Sequence, residues 1–111
     1  MVTVVENLSP EAQLIAPKDQ AFYPAGTKIA VQAQASDPDG RIVRVDFQLS
    51  NMSVFADPVT VATVARPPYK TTIEGLTEGM WMLSAVAVDD AGVESQSTPA
   101  HFMVTPARKR P

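Results

Sequence analysis

An all-β sandwich is the fold class this sequence predicts, and three observations predict it. Apolar and polar residues alternate over several short stretches, which is the period of a strand with one buried face. About seven such stretches recur at intervals of roughly eight to twelve residues, punctuated by ten prolines and five glycines. No stretch sustains the repeat of a helix. At 111 residues the chain amounts to one domain, large enough to bury a core of its own. A closed barrel is the alternative arrangement of the same strands.

Residues 1–9 open with the β-prone run Val2-Thr3-Val4-Val5 and are read as a linker or the tail of a preceding domain. Residues 10–106 are the sandwich, and residues 107–111 a basic, proline-ended tail or linker. Within the sandwich a first strand over residues 12–16 is stopped by Pro17, and Phe22-Tyr23-Pro24-Ala25-Gly26 turns the chain into the second, residues 28–36. There Ile29, Val31, Ala33 and Ala35 share one face. The third strand, residues 42–49, presents Val43, Val45, Phe47 and Leu49 to the same core. Between them Pro38 lacks a ladder donor and the aspartates bond their own backbone, so Asp37-Pro38-Asp39-Gly40 is a turn.

A long connection over residues 50–58 follows, then a strand over residues 59–65 with Val59, Val61, Thr63 and Ala65 on one side. Arg66-Pro67-Pro68 removes two donors and ends it. Residues 69–73 are a short strand, and the Gly75 to Gly79 turn leads into residues 80–88, the longest apolar segment. Val86 and Val88, with Gly79 before and Asp89-Asp90-Ala91-Gly92 after, favour a central strand there over a helix. A last strand over residues 101–105 follows Pro99.

Composition narrows the function. The net charge is −3, and Arg108, Lys109 and Arg110 crowd into the tail, so the body is acidic and lacks the basic stripe a nucleic-acid surface needs. Zero cysteines leave no disulfide and no thiolate metal site. No apolar run approaches the roughly 20 residues that span a bilayer, and no charged leader followed by an apolar stretch is visible. His101 is the only histidine, and no Gly-x-Ser-x-Gly is present, so neither a zinc site nor a hydrolase triad is expected. Paired carboxylates working as a glycosidase would need a cleft that a small filled sandwich leaves no room for. The chain is not expected to be an enzyme.

The order of Ile15-Ala16-Pro17, Phe22, Gly26, Ala33-Gln34-Ala35-Ser36-Asp37-Pro38-Asp39-Gly40, Val45-Asp46-Phe47, Pro68-Tyr69, Gly79 and Ala85-Val86-Ala87-Val88-Asp89-Asp90-Ala91-Gly92 resembles the bacterial Ig-like domains found in tandem in large exported proteins. The resemblance covers residues 10–106. It implies an Ig-like antiparallel sandwich, a spacer or presentation role beside neighbouring domains, and an extracellular, cell-surface or periplasmic setting. Residues 51–58 depart from it, standing where the family has a tight glycine turn. Leu76-x-x-Gly79-x-Trp81 resembles the tyrosine corner of such sandwiches with a tryptophan in the tyrosine's place. An indole can donate one hydrogen bond there but accept none. This register turns Trp81, Leu83, Ala85 and Ala87 inward and leaves Met82, Val86 and Val88 on an unusually apolar outer face.

Two candidate sites follow. In an Ig-like sandwich the loops carrying Asp37 and Asp39 and carrying Asp89 and Asp90 share an end, so four carboxylates can meet there. Hard oxygen ligands in loops suit Ca²⁺, the one ion the chain could hold, although both loops are also ordinary turn sequences. No other cofactor is expected. Ile42, Met82, Val86 and Met103 on the outer face, with Met52 and Phe55 in the long connection, are expected to contact a neighbouring domain or a second copy. A carbohydrate or protein ligand is the alternative partner, and for carbohydrate it would need several exposed aromatic rings.

Overall fold

The computed structural model describes residues 10–38, 40–54 and 57–106. Among them are nine strands and no helix: β1 (Glu11–Ala16), β2 (Ala21–Pro24), β3 (Ile29–Ser36), β4 (Ile42–Asn51), β5 (Val59–Val64), β6 (Tyr69–Ile73), β7 (Gly79–Asp89), β8 (Glu94–Gln96) and β9 (Ala100–Thr105). They form two sheets, one ordered β1-β3-β6 and one ordered β2-β9-β7-β4-β5, with β8 pairing the second half of β7. This is a sandwich and not a closed barrel.

Alternation builds the core between the sheets. Ile29, Val31 and Ala33 of β3 with Tyr69 and Ile73 of β6 face Val45, Phe47 and Leu49 of β4, Leu83, Ala85 and Ala87 of β7, and Phe102 and Val104 of β9. Phe47 and Phe102 are the largest side chains wholly excluded from water. Tyr23 meets Phe102 edge to face, with ring centroids 5.8 Å apart and planes at 84°, the geometry ring quadrupoles prefer.

Two bulges reset faces that a strict period of two would assign differently. Ile42 pairs with Asp89 and Arg44 with Val88, so Val43 is the extra residue and Ile42 packs against the core. On β5 the register shifts opposite Phe47 and Gln48, leaving Val61 as the extra residue. Ala62 opposite Phe47 and Val64 opposite Val45 pack inward, the reverse of the face expected from alternation, while Val61 is exposed as the extra residue and Val59, opposite Leu49, is exposed as well. One strand lay in a stretch read as a turn and another in a stretch given no strand. β2 runs parallel to β9, and β8 is a three-residue pairing with β7.

The pairing also orients the ends of the chain. Glu11 pairs with Ser36 and Ile42 with Asp89, so the start of β1, the β3–β4 loop and the end of β7 share one end, here the upstream end. Gly79 pairs with Val104 and Pro24 with Thr105, so β9 leaves from the opposite, downstream end. β7, eleven residues long, sets their separation at roughly 35 Å.

Candidate functional site

At the upstream end two loops are stitched together by backbone. The Asp90 N–H donates to the Arg41 carbonyl at 3.0 Å, joining the β7–β8 loop to the β3–β4 loop. Asp89 ends β7 with its side chain only 1% exposed. Its Oδ1 accepts the N–H groups of Ala91 at 2.9 Å and Val93 at 2.8 Å, the local capping that makes Asp-x-x-Gly a turn sequence. Its own N–H donates to the Val93 carbonyl at 3.0 Å. This carboxylate is therefore a structural part of the loop.

Asp37, Asp89 and Asp90 each bring one carboxylate oxygen to within 4.8 Å of the others. Gly40 permits that approach, because a Cβ there would lie 2.6 Å from the Asp90 Oδ1 and 3.4 Å from the Asp37 Oδ2. The fourth expected ligand, Asp39, lies outside the described residues. Oxygens this close could surround one hard cation at about 2.3–2.6 Å, yet one oxygen from each leaves the described set short of the roughly six to eight that calcium takes.

The expected contact surface divides differently. Ile42, beside its bulge, is partly buried and packs against the core, and Val86, at 7% exposure, is buried. Asp46 and Gln96 flank Val86 in register, as Arg44 and Glu94 flank Val88. Those side chains are themselves tied down: Asp46 takes Arg44 Nε at 3.2 Å and Thr63 Oγ1 at 2.8 Å, and Gln96 Nε2 donates to Ser84 Oγ at 3.0 Å. Long polar side chains on both neighbouring strands thus shield the valines, which neither valine's own parity could reveal. Val86 is therefore covered, and Ile42 is covered in part. Met82 is half-buried, Met52 and Met103 are exposed, and Phe55 lies outside the described residues.

What remains exposed gathers at the downstream end. Phe22 on β2 stands opposite Met103 on β9, which stands opposite Met80 on β7. Their exposures are 68%, 37% and 38%. Met52 adjoins the row, its N–H donating to the Met80 carbonyl at 2.9 Å. Met80 shares the parity of Met82 and was legible from it, whereas Phe22 was hidden by reading β2 as a turn.

Three further contacts hold this half of the molecule. Trp81 packs against the core and its Nε1 donates to the Thr77 carbonyl at 2.9 Å, so the corner survives with the indole as donor. Beside it Gly79 has a φ of 138° and no room for a Cβ against Ser53, whose Oγ accepts the Met80 N–H at 3.1 Å. Asp19 Oδ1 accepts the His101 N–H at 2.8 Å and lies 3.4 Å from its Nδ1. That backbone bond is the chief reason its carboxyl is held below the ordinary aspartate value.

Comparison with known proteins agrees with this architecture. A family model described as Bacterial Ig domain matches residues 10–85. The fibronectin(III)-like modules of CbhA from Clostridium thermocellum are similar in structure, with 28% identity, a TM-score of 0.76, and coverage of 88% of this chain and all of theirs. An engineered protein shares the fold alone, at 14% identity and a TM-score of 0.57, over 90% of this chain and 21% of its own. No curated protein matches. With the match extending over more than half its length and the sandwich topology in place, the chain belongs to the bacterial Ig domain family.

Proposed function

We propose that this domain is a non-catalytic spacer of a larger exported or cell-surface protein, holding neighbouring domains apart and in line. The observation that carries the reading is the placement of the chain's path: it comes into β1 at one end of the sandwich and leaves β9 at the other. A module threaded in this way adds its full length to an array instead of folding the array back on itself. Scattering from the parent protein with and without residues 10–106 tests it. The expected result is a particle shortened by about 35 Å, with the activity of any neighbouring catalytic domain unchanged per active site. An unchanged length, or loss of the parent's chemistry, would overturn it.

The carboxylates of the upstream end belong to this reading as turn caps. Asp89 spends one oxygen on two N–H groups, and a calcium ion would need oxygens from a preceding domain to fill its shell. Recognition of carbohydrate is the weaker reading. Tyr23 packs on Phe102, Tyr69 is buried and Trp81 is bound to Thr77, so among the described residues Phe22 alone offers a freely exposed ring. One ring is not the platform that sugar stacking requires.

A further inference from the structure

Phe22, Met103 and Met80 form an exposed apolar row beside the point where β9 leaves the sandwich. β2 pairs only with β9, so the row ends at an open sheet edge among the described residues. The chain also holds an apolar, β-prone segment outside the described residues, Val2-Thr3-Val4-Val5. We propose that this segment of one copy covers the downstream apolar row of another, so that copies associate head to tail.

Reach argues for a second copy over the same chain. Residues 2–5 lie five to eight residues before Pro10, and an extended chain covers at most about 3.3–3.6 Å per residue, or roughly 17 to 29 Å. The row sits nearly the whole length of β7 away, roughly 30 Å along the strand, and β1 belongs to the opposite sheet. A head-to-tail neighbour has no such gap, because the upstream end of one copy, with its leading segment, then abuts the downstream end of the next.

Charge agrees with the same arrangement. Arg108, Lys109 and Arg110 follow the downstream end in sequence, and Asp37, Asp89 and Asp90 cluster at the upstream end. Head-to-tail contact brings the basic tail of one copy toward the acidic loops of the next, whereas tail-to-tail contact would set like charges together. Three side chains make a small patch, well below the roughly 800 Å² per partner of a stable complex. The association between free chains is therefore weak and gains strength only where neighbours are tethered at high effective concentration.

The in-line path of the chain supplies the geometry on which this rests, and the two fail separately, since the length of the parent protein does not depend on whether the row is covered. The test uses the full chain labelled for NMR at low concentration, titrated with a synthetic peptide of residues 1–9. Saturable shifts at Phe22, Met80 and Met103 are expected, with none from a scrambled peptide. In sedimentation up to about 1 mM the chain should associate in a salt-sensitive manner, and Phe22→Asp or Val4→Asp should each weaken association about tenfold. Phe22 is exposed, and an unchanged melt of each variant confirms the fold. Monomeric behaviour without peptide shifts would overturn the proposal. So would association lost in Phe22→Asp but kept in Val4→Asp, which would mean that the row pairs with itself.

Discussion

The two ends of the sandwich are built on opposite principles. The upstream end is polar and closed by its own hydrogen bonds: Asp89 caps its loop, Asp90 ties that loop to Arg41, and Gly40 lets the carboxylates draw near. The downstream end is anchored from within by Trp81 and leaves Phe22, Met80 and Met103 in water. The contrast teaches that one end closes itself with hydrogen bonds while the other leaves apolar side chains exposed. In the proposed array these are the two faces that neighbours would join.

Substitutions can break the comparison from either side. Trp81→Ala removes the internal anchor of the downstream end and should cost about 3 kcal/mol in a denaturant titration. Trp81→Phe, which loses chiefly the bond to the Thr77 carbonyl, should cost about 1 kcal/mol. Equal losses would mean that the indole's bond, and not its packing, holds the corner.

The upstream end should answer through hydrogen bonds. Asp89→Ala strips two N–H groups of their carboxylate acceptor in a buried position, an expected loss of about 2 to 3 kcal/mol. Asp90→Ala, at an exposed side chain, should stay within about 0.5 kcal/mol. If the two proved equal, the cluster would act as one electrostatic unit and not as a cap plus a bystander.

A smaller effect belongs to Asp19 in the downstream half. Its folded carboxyl titrates below the ordinary value of 3.8, chiefly because the His101 N–H donates to it. The charged form is thus favoured by folding. Its contribution is present above pH 3.8 and is lost as pH falls through the lower folded value. The stability difference between the protein and Asp19→Asn should therefore shrink with acidification in that range. A difference constant with pH would assign the contact no role in proton linkage.

The smallest expected effect is that of calcium. Melts in millimolar Ca²⁺ and in chelator should coincide for this chain, because one oxygen from each of three carboxylates leaves most of the coordination shell to water. A site selective for the folded state would instead add about 2.7 kcal/mol at a hundredfold excess over its Kd. Such a shift, abolished by Asp37→Asn with Asp90→Asn, would turn the closed end into a cation site.

Alternation and punctuation carried most of the fold. Ile29, Val31, Val45, Phe47, Leu83 and Phe102 lie in the core because period-two patterning leaves a strand one way to bury its apolar face, and Pro17, Pro67 and Gly79 mark boundaries that local backbone chemistry imposes. The meeting of Asp37, Asp89 and Asp90 was legible too, but only through a resemblance, since nothing local to either loop says which other loop it will touch. Tertiary structure settled the rest. β2 and β8 are too short to show a period and exist because β9 and β7 offer them edges. The bulges at Val43 and Val61 exchange inward and outward faces, since one extra residue against a paired strand reverses every later side chain. The shelter over Val86 comes from Asp46 and Gln96 on two other strands, and the exposure of Phe22, Met80 and Met103 from three. Exposure is a property of neighbours distant in sequence, which no single stretch of the chain contains.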